Sequence, residues 1–205
     1  IGTLLESERR FTADAAHELR TPIAAIRAQA QAALGETDDA RRRHALQSTL
    51  AGCDRATRLV EQMLTLARLE AVTTHSSAAV DLSMLVRQVV AEIAPQALQR
   101  RQTVEVVAPA PARIQGDATL LAVLVRNLVD NAIRYGPPQA VVTVRVTTTN
   151  ARVRLDVEDS GPGMTEQDAG RLGERFFRVL GSGEIGSGLG WSIVQRIAAV
   201  QGAQV

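Results

Sequence analysis

Phe11-Thr12-Ala13-Asp14-Ala15-Ala16-His17-Glu18-Leu19-Arg20-Thr21-Pro22 decides how the chain folds. Thr12, Ala16 and Leu19 open a run of small and apolar residues, spaced four and three apart, that continues through Ile23, Ile26, Ala30 and Ala33. Such a run forms one stripe along an α-helix. Leu46, Leu50, Cys53, Thr57, Val60, Leu64 and Ala67 repeat the pattern. Between the two runs, Gly35 supplies a helix stop and Thr37-Asp38-Asp39 a fresh N-cap, so the spacing predicts an antiparallel helical hairpin turning near residues 35–39. Two helices cannot enclose a core on stripes this narrow, and many of the seam residues are small. The pattern therefore predicts a homodimer in which two hairpins make a four-helix bundle, with packing against the rest of the chain as the alternative.

His17 stands one position past the seam residue Ala16, which places its ring on the flank of the bundle, within reach from outside. By itself, a histidine on an amphipathic helix is ordinarily a surface residue. Pro22 cannot donate to the carbonyl of Glu18, so a bend is expected just after the histidine.

At 205 residues and 45% hydrophobic content, the chain is large enough for two compact units. A net charge of +1, spread evenly, gives no electrostatic argument for binding nucleic acid or an anionic membrane surface. No apolar run approaches the roughly 20 residues of a membrane span, and the single cysteine, Cys53, excludes an intrachain disulfide and fits a reducing, cytoplasmic compartment. All 23 basic side chains are arginines. The lack of lysine excludes a Walker-A phosphate loop, the lysine of Ser/Thr/Tyr kinases and Schiff-base chemistry.

Residues 71–80 lose the repeat and read as a linker. Beyond it the pattern predicts a helix at about 82–99, a strand at about 103–107, a helix at about 117–135 and a β-hairpin, VVTVRVTTT and RVRLDVED, turning at Asn150-Ala151. A last helix is predicted at about 189–200. The expected fold class is α+β, with a helical hairpin over 1–70 followed over 81–205 by an α/β sandwich, a mixed sheet with helices on one face. Asn127 and Asn131, four apart, share a helix face and together offer amide oxygens to a hard cation such as Mg²⁺, although paired asparagines are more often packing residues. Asp159-Ser160-Gly161-Pro162-Gly163-Met164 follows a strand, and there the aspartate can accept from an exocyclic amino group while the glycines admit a flat ligand. Gly181 to Gly190 precedes the last helix, whose first amides would hold phosphate oxygens without any lysine.

Five ordered blocks, FTADAAHELRTP, NLVDNAIRYGP, DSGPGM, ERFFRV and GSGLGWSIV, make the chain resemble the cytoplasmic core of bacterial sensor histidine kinases from His17 to Val200. The resemblance implies that ATP is the phosphoryl donor and His17 the acceptor. Neighbouring Glu18 is then the candidate base, and Thr21 matches the residue that positions water for dephosphorylating a partner. Asn127 and Asn131 become the Mg²⁺- and phosphate-binding pair, followed by Arg134, where many relatives have lysine, and Tyr135. Asp159, Gly161 and Gly163 become the adenine-binding box. Gly186, Gly188, Leu189 and Gly190 close a lid over the nucleotide, with Phe176 and Phe177 at its base. Further implications are a response-regulator partner whose aspartate receives the phosphoryl group, a membrane-anchored parent acting on the cytoplasmic side of the bacterial inner membrane, and a final strand pair beyond Val205. Competing readings are an ATPase of the gyrase or mismatch-repair type, which lacks the His17 helix, and a catalytically silent dimeric scaffold, which would show damaged motifs.

Overall fold

The computed structural model describes residues 2–71, 77–150, 152–174, 177 and 188–205, with side chains of the first two helices described from Ala15 to Leu69. The chain divides into two compact units, Ile1–Ala67 and Arg68–Val205.

The first unit is built from α1 (Gly2–Gly35) and the greater part of α2 (Asp39–Ala71). Its reversal is made by short-range polar chemistry. Glu36 Oε1 accepts from the Thr37 and Asp38 amides at 3.0 and 3.1 Å, and Asp38 Oδ1 accepts from Arg41 N at 2.9 Å. The turn thus falls where glycine and the Thr-Asp-Asp run place it. Pro22 is accommodated inside α1, whose helical span continues for more than three further turns.

The buried stripe of α2 differs from the expected seam. Ala45, Gly52, Leu59, Met63 and Leu66 are buried, with Thr49 and Ala56 half-buried between them, a four-three repeat one residue out of step with the predicted one. Gly52 marks the close approach to α1: a Cβ there would lie 2.7 Å from Ile26 Cγ1. Leu46, Leu50, Val60 and Leu64 of the predicted seam are 40–65% exposed, as is Ile23 of α1 at 56%. Helix α2 therefore carries two adjacent apolar stripes. Periodicity gives the spacing of a stripe but not which of two neighbouring stripes meets the other helix.

The second unit contains β1 (Ala78–Asp81), α3 (Leu82–Gln99), β2 (Thr103–Val107), β3 (Arg113–Gly116), α4 (Ala118–Tyr135), β4 (Val141–Thr149), β5 (Arg152–Asp159), α5 (Glu166–Ala169) and α6 (Gly190–Val200). Its main sheet has the order β2-β4-β5, with β2 parallel and β5 antiparallel to β4, hence mixed. Alternation in β4 sends Val142, Val144 and Val146 into a core with Val86, Val89, Val90 and Ile93 of α3 and Val125, Val129 and Ile133 of α4. Leu189, Ile193, Val194 and Ile197 bury α6, which packs chiefly on α4.

Residues 78–80, read from composition as the end of the linker, form β1 instead, paired antiparallel with β3. Four-residue strands carry too little alternation to be seen in sequence. Their placement is secured by Asp81, whose Oδ1 caps α3 by accepting from the Ser83 and Met84 amides at 3.0 and 3.3 Å and also accepts from Ala112 N at 3.3 Å. The β4–β5 turn begins at Asn150, which adopts the left-handed φ of 50°; Ala151 lies outside the described residues.

Candidate functional site

Helix α4 is the spine of the site. Asp117 caps it through Oδ1, accepting from Thr119 N at 2.9 Å and Leu120 N at 3.1 Å, and its own amide donates to Gln201 Oε1 at 3.0 Å, tying the start of α4 to the end of α6. Asn127, Asn131 and Tyr135 follow one another at intervals of four, so they form a single row about 12 Å long on one helix face.

At one end of this row, Asn127 is buried and its Nδ2 donates to Val123 O at 2.8 Å. Its Oδ1 lies 3.3 Å from the point a Cβ on Gly190 would occupy, and the carboxamide of Asn131 lies 3.4 Å from the same point. A side chain larger than hydrogen at 190 would press on both amides. The first residue of α6 is thus seated on an asparagine pair some 60 positions upstream. Fully buried Leu189 is the N-cap of α6 and supplies no side-chain capping bond, and Gly188 ahead of it has a φ of 67°. The amide-rich, electropositive end of a helix beside two carboxamides is a donor set suited to phosphate oxygens and a hard cation.

At the other end, β5 delivers Asp159 into a tight turn. Asp159 Oδ1 accepts from Gly161 N at 2.8 Å, and Gly163 takes a φ of 70°. The carbonyl of Tyr135 stands 3.5 Å from the Cβ position of Gly161, so the turn rests on the last turn of α4. Ser160 Oγ accepts from Val141 N at 3.1 Å and attaches it to β4 as well. Asp159 is exposed and Tyr135 is 38% exposed, which leaves both reachable by a ligand. Arg134, immediately before Tyr135, is half-buried.

Two residues with no motif of their own support this end: Arg100 and Gln102, whose side chains donate to backbone carbonyls around Tyr135. Sequence reasoning passed over them, because Arg100-Arg101-Gln102 looks like an ordinary helix end. The one available signal was a glutamine next to an alternating strand. Phe177 is half-buried beneath the Arg171 guanidinium, 4.3 Å above its ring centroid. Arg171 also pairs with Glu174 at 2.8 Å; that hydrogen bond holds the Arg171 pKa above its usual value and the Glu174 carboxyl below its own. Phe176 and Gly186 lie outside the described residues.

On α1, His17 and Thr21 are both exposed and one turn apart, and Glu18 is half-buried. The imidazole is therefore open to solvent on its helix, and so is Ala16, the predicted seam residue beside it. Among the described residues no helix is long and apolar enough to cross a membrane.

Two family models match the chain in tandem. The His Kinase A (phospho-acceptor) domain matches residues 7–72, and the Histidine kinase-, DNA gyrase B-, and HSP90-like ATPase matches residues 116–205. The chain is 44% identical over 205 residues to Sensor protein QseC of Escherichia coli K12, covering 98% of this chain and 45% of that protein. It thus spans a little under half the length of this curated relative. Among solved structures, the mycobacterial sensor histidine kinase MprB is 29% identical, with a TM-score of 0.55 over 62% of this chain and 80% of that one. The histidine kinase ThkA, solved with the response regulator protein TrrA, gives a TM-score of 0.72 over 88% of this chain and 54% of that one; at 21% identity the likeness is one of fold.

Proposed function

Because this chain belongs to the sensor histidine kinases, we propose that it takes the γ-phosphoryl group of ATP onto His17 and passes it to an aspartate of a response-regulator protein. One observation carries the nucleotide half of this reading. Asn127, Asn131 and Tyr135 line one face of α4, with the glycine-led start of α6 at one end of the row and the Asp159 turn at the other. That arrangement gives the nucleotide a direction: phosphates against Gly188, Leu189, Gly190 and the asparagines, adenine against Asp159, Gly161 and Gly163. Gly186 joins the phosphate end by motif. Asp159 accepts from the exocyclic amino group of adenine, and guanine presents a carbonyl there. Asn127 and Asn131 would hold Mg²⁺, which when bound offsets phosphate charge. Arg134, in the last turn of α4 beside Tyr135, adds a planar cation.

In the reaction, a ring nitrogen of neutral His17 attacks the γ-phosphorus in line. A nitrogen–phosphorus bond forms, the bond to the bridging β–γ oxygen breaks, and ADP leaves with that electron pair. The proton on the other ring nitrogen passes toward Glu18, adjacent on α1. Attack of a regulator's aspartate on the phosphohistidine then regenerates the imidazole. Thr21, exposed one turn beyond His17, positions water for the opposite activity, removal of phosphate from the regulator; Thr21→Ala is expected to slow that removal and spare autophosphorylation.

A homodimer is supported by the second apolar stripe of α2, since a copy of the hairpin laid on Leu46, Leu50, Val60 and Leu64 buries what one chain leaves exposed. The site of action is the cytoplasmic side of the inner membrane, where ATP is available. The test is incubation with γ-labelled ATP and Mg²⁺, followed by assay for acid-labile, base-stable phosphate on the protein. His17→Gln is expected to lose all label and keep ADP binding; label retained in that variant overturns the assignment.

A further inference from the structure

We propose that Arg100 and Gln102 are positioning residues that set the adenine preference of the nucleotide site, by clamping the last turn of α4 on which the Asp159 turn rests. This deepens the nucleotide reading above and depends on it. Four backbone carbonyls flanking Tyr135 are taken up by two side chains. Arg100 Nη1 donates to Ile133 O at 2.8 Å and to Arg134 O at 2.6 Å. Gln102 Nε2 donates to Gly136 O at 2.9 Å and to Pro137 O at 3.0 Å. The middle carbonyl, that of Tyr135, lies against the turn, 3.5 Å from the Cβ position of Gly161.

A helix normally leaves its last carbonyls to water. Here a guanidinium takes two of them, which also suits the negative end of the helix dipole. The glutamine is 3% exposed and is itself held in place, its amide N–H donating to Ala97 O at 2.9 Å. Arg101 between the two adopts a left-handed φ of 58°, a conformation arginine rarely takes and one that persists only where its surroundings require it. The unfavourable backbone at 101 thus sits between the two clamping side chains.

The consequence is selective. Asp159 distinguishes adenine from guanine by where one carboxylate oxygen stands relative to an amino group, so an error of a few tenths of an ångström weakens that contact first. The phosphate end, built on the start of α6, is about 12 Å away along α4 and keeps its own packing.

The experiment measures binding of ATP, GTP and inorganic tripolyphosphate, each with Mg²⁺, to the full chain and to Arg100→Ala and Gln102→Ala. ATP affinity is expected to fall about tenfold in each variant, from the loss of hydrogen bonds to a helix end. The ATP-to-GTP ratio should fall with it, tripolyphosphate affinity should stay unchanged, and Arg100→Lys should recover most of the loss. An unchanged ATP-to-GTP ratio in folded Arg100→Ala overturns the proposal, as does an equal loss for ATP and tripolyphosphate, which is the mark of general loosening. If loss of the bond to the buried Gly136 carbonyl unfolds Gln102→Ala, the half-buried Arg100 decides the matter. A wild-type chain that binds neither nucleotide overturns the nucleotide reading and the clamp with it, whereas normal wild-type binding with an unaltered Arg100→Ala overturns the clamp alone.

Discussion

Replacing Leu50 by alanine tests the dimer directly, because Leu50, on the outer stripe of α2, stands 65% exposed. The substitution removes three carbons, worth about 2.4 kcal/mol at ~0.8 kcal/mol per buried methylene. Only the area still open in the single chain is gained on association, so scaling by the 65% exposure leaves about 1.6 kcal/mol per protomer. A two-fold dimer counts the change twice, about 3 kcal/mol, which raises the dimer Kd on the order of 200-fold. Sedimentation across a dilution series measures this Kd. Leu59→Ala is the matched control: the same chemistry at a residue 7% exposed on the inner stripe costs about 2–5 kcal/mol of folding stability instead. An unchanged Kd for Leu50→Ala, or a wild-type chain that stays monomeric at every concentration, refutes the assignment of the outer stripe to a second copy.

Three further outcomes are expected. Gly190→Ala places a methyl 3.3 Å from Asn127 Oδ1 and 3.4 Å from Asn131, so Mg²⁺–ADP affinity measured by calorimetry should drop about tenfold while the melting temperature hardly moves; undiminished affinity would show that α6 does not hold phosphate. Asp159→Asn keeps the shape of the turn but loses the charge on the acceptor, and ATP binding should weaken about tenfold or more with the fold intact. Asp81→Ala removes the α3 cap and the tie to Ala112, and urea unfolding should report a loss of about 1–2 kcal/mol; stability equal to wild type contradicts the capping role.

Much of the architecture was legible locally. The α3, β2, β4 and β5 spans, Leu82–Gln99, Thr103–Val107, Val141–Thr149 and Arg152–Asp159, coincide with those the periodicity predicts. A period of 3.6 or 2 and a capping aspartate or breaking glycine act within a few residues of chain, so they can be read there. The hairpin reversal after Gly35 is legible for the same reason.

Other features were decided only when distant segments met. Ala78–Asp81 and Arg113–Gly116 are strands because each has the other as partner. Which α2 stripe turns to α1 was settled at Gly52, where the missing side chain lets Ile26 approach. The motifs named Asn127, Asn131 and Gly190 separately, but their convergence came from packing α6 on α4, and the clamp by Arg100 and Gln102 came from α3 ending beside the end of α4. By itself the sequence determined most of the helices and the longer strands, because propensity, period and capping are short-range. Tertiary structure alone decided which faces and ends meet, because that choice depends on side-chain volume and hydrogen bonding between residues far apart in the chain.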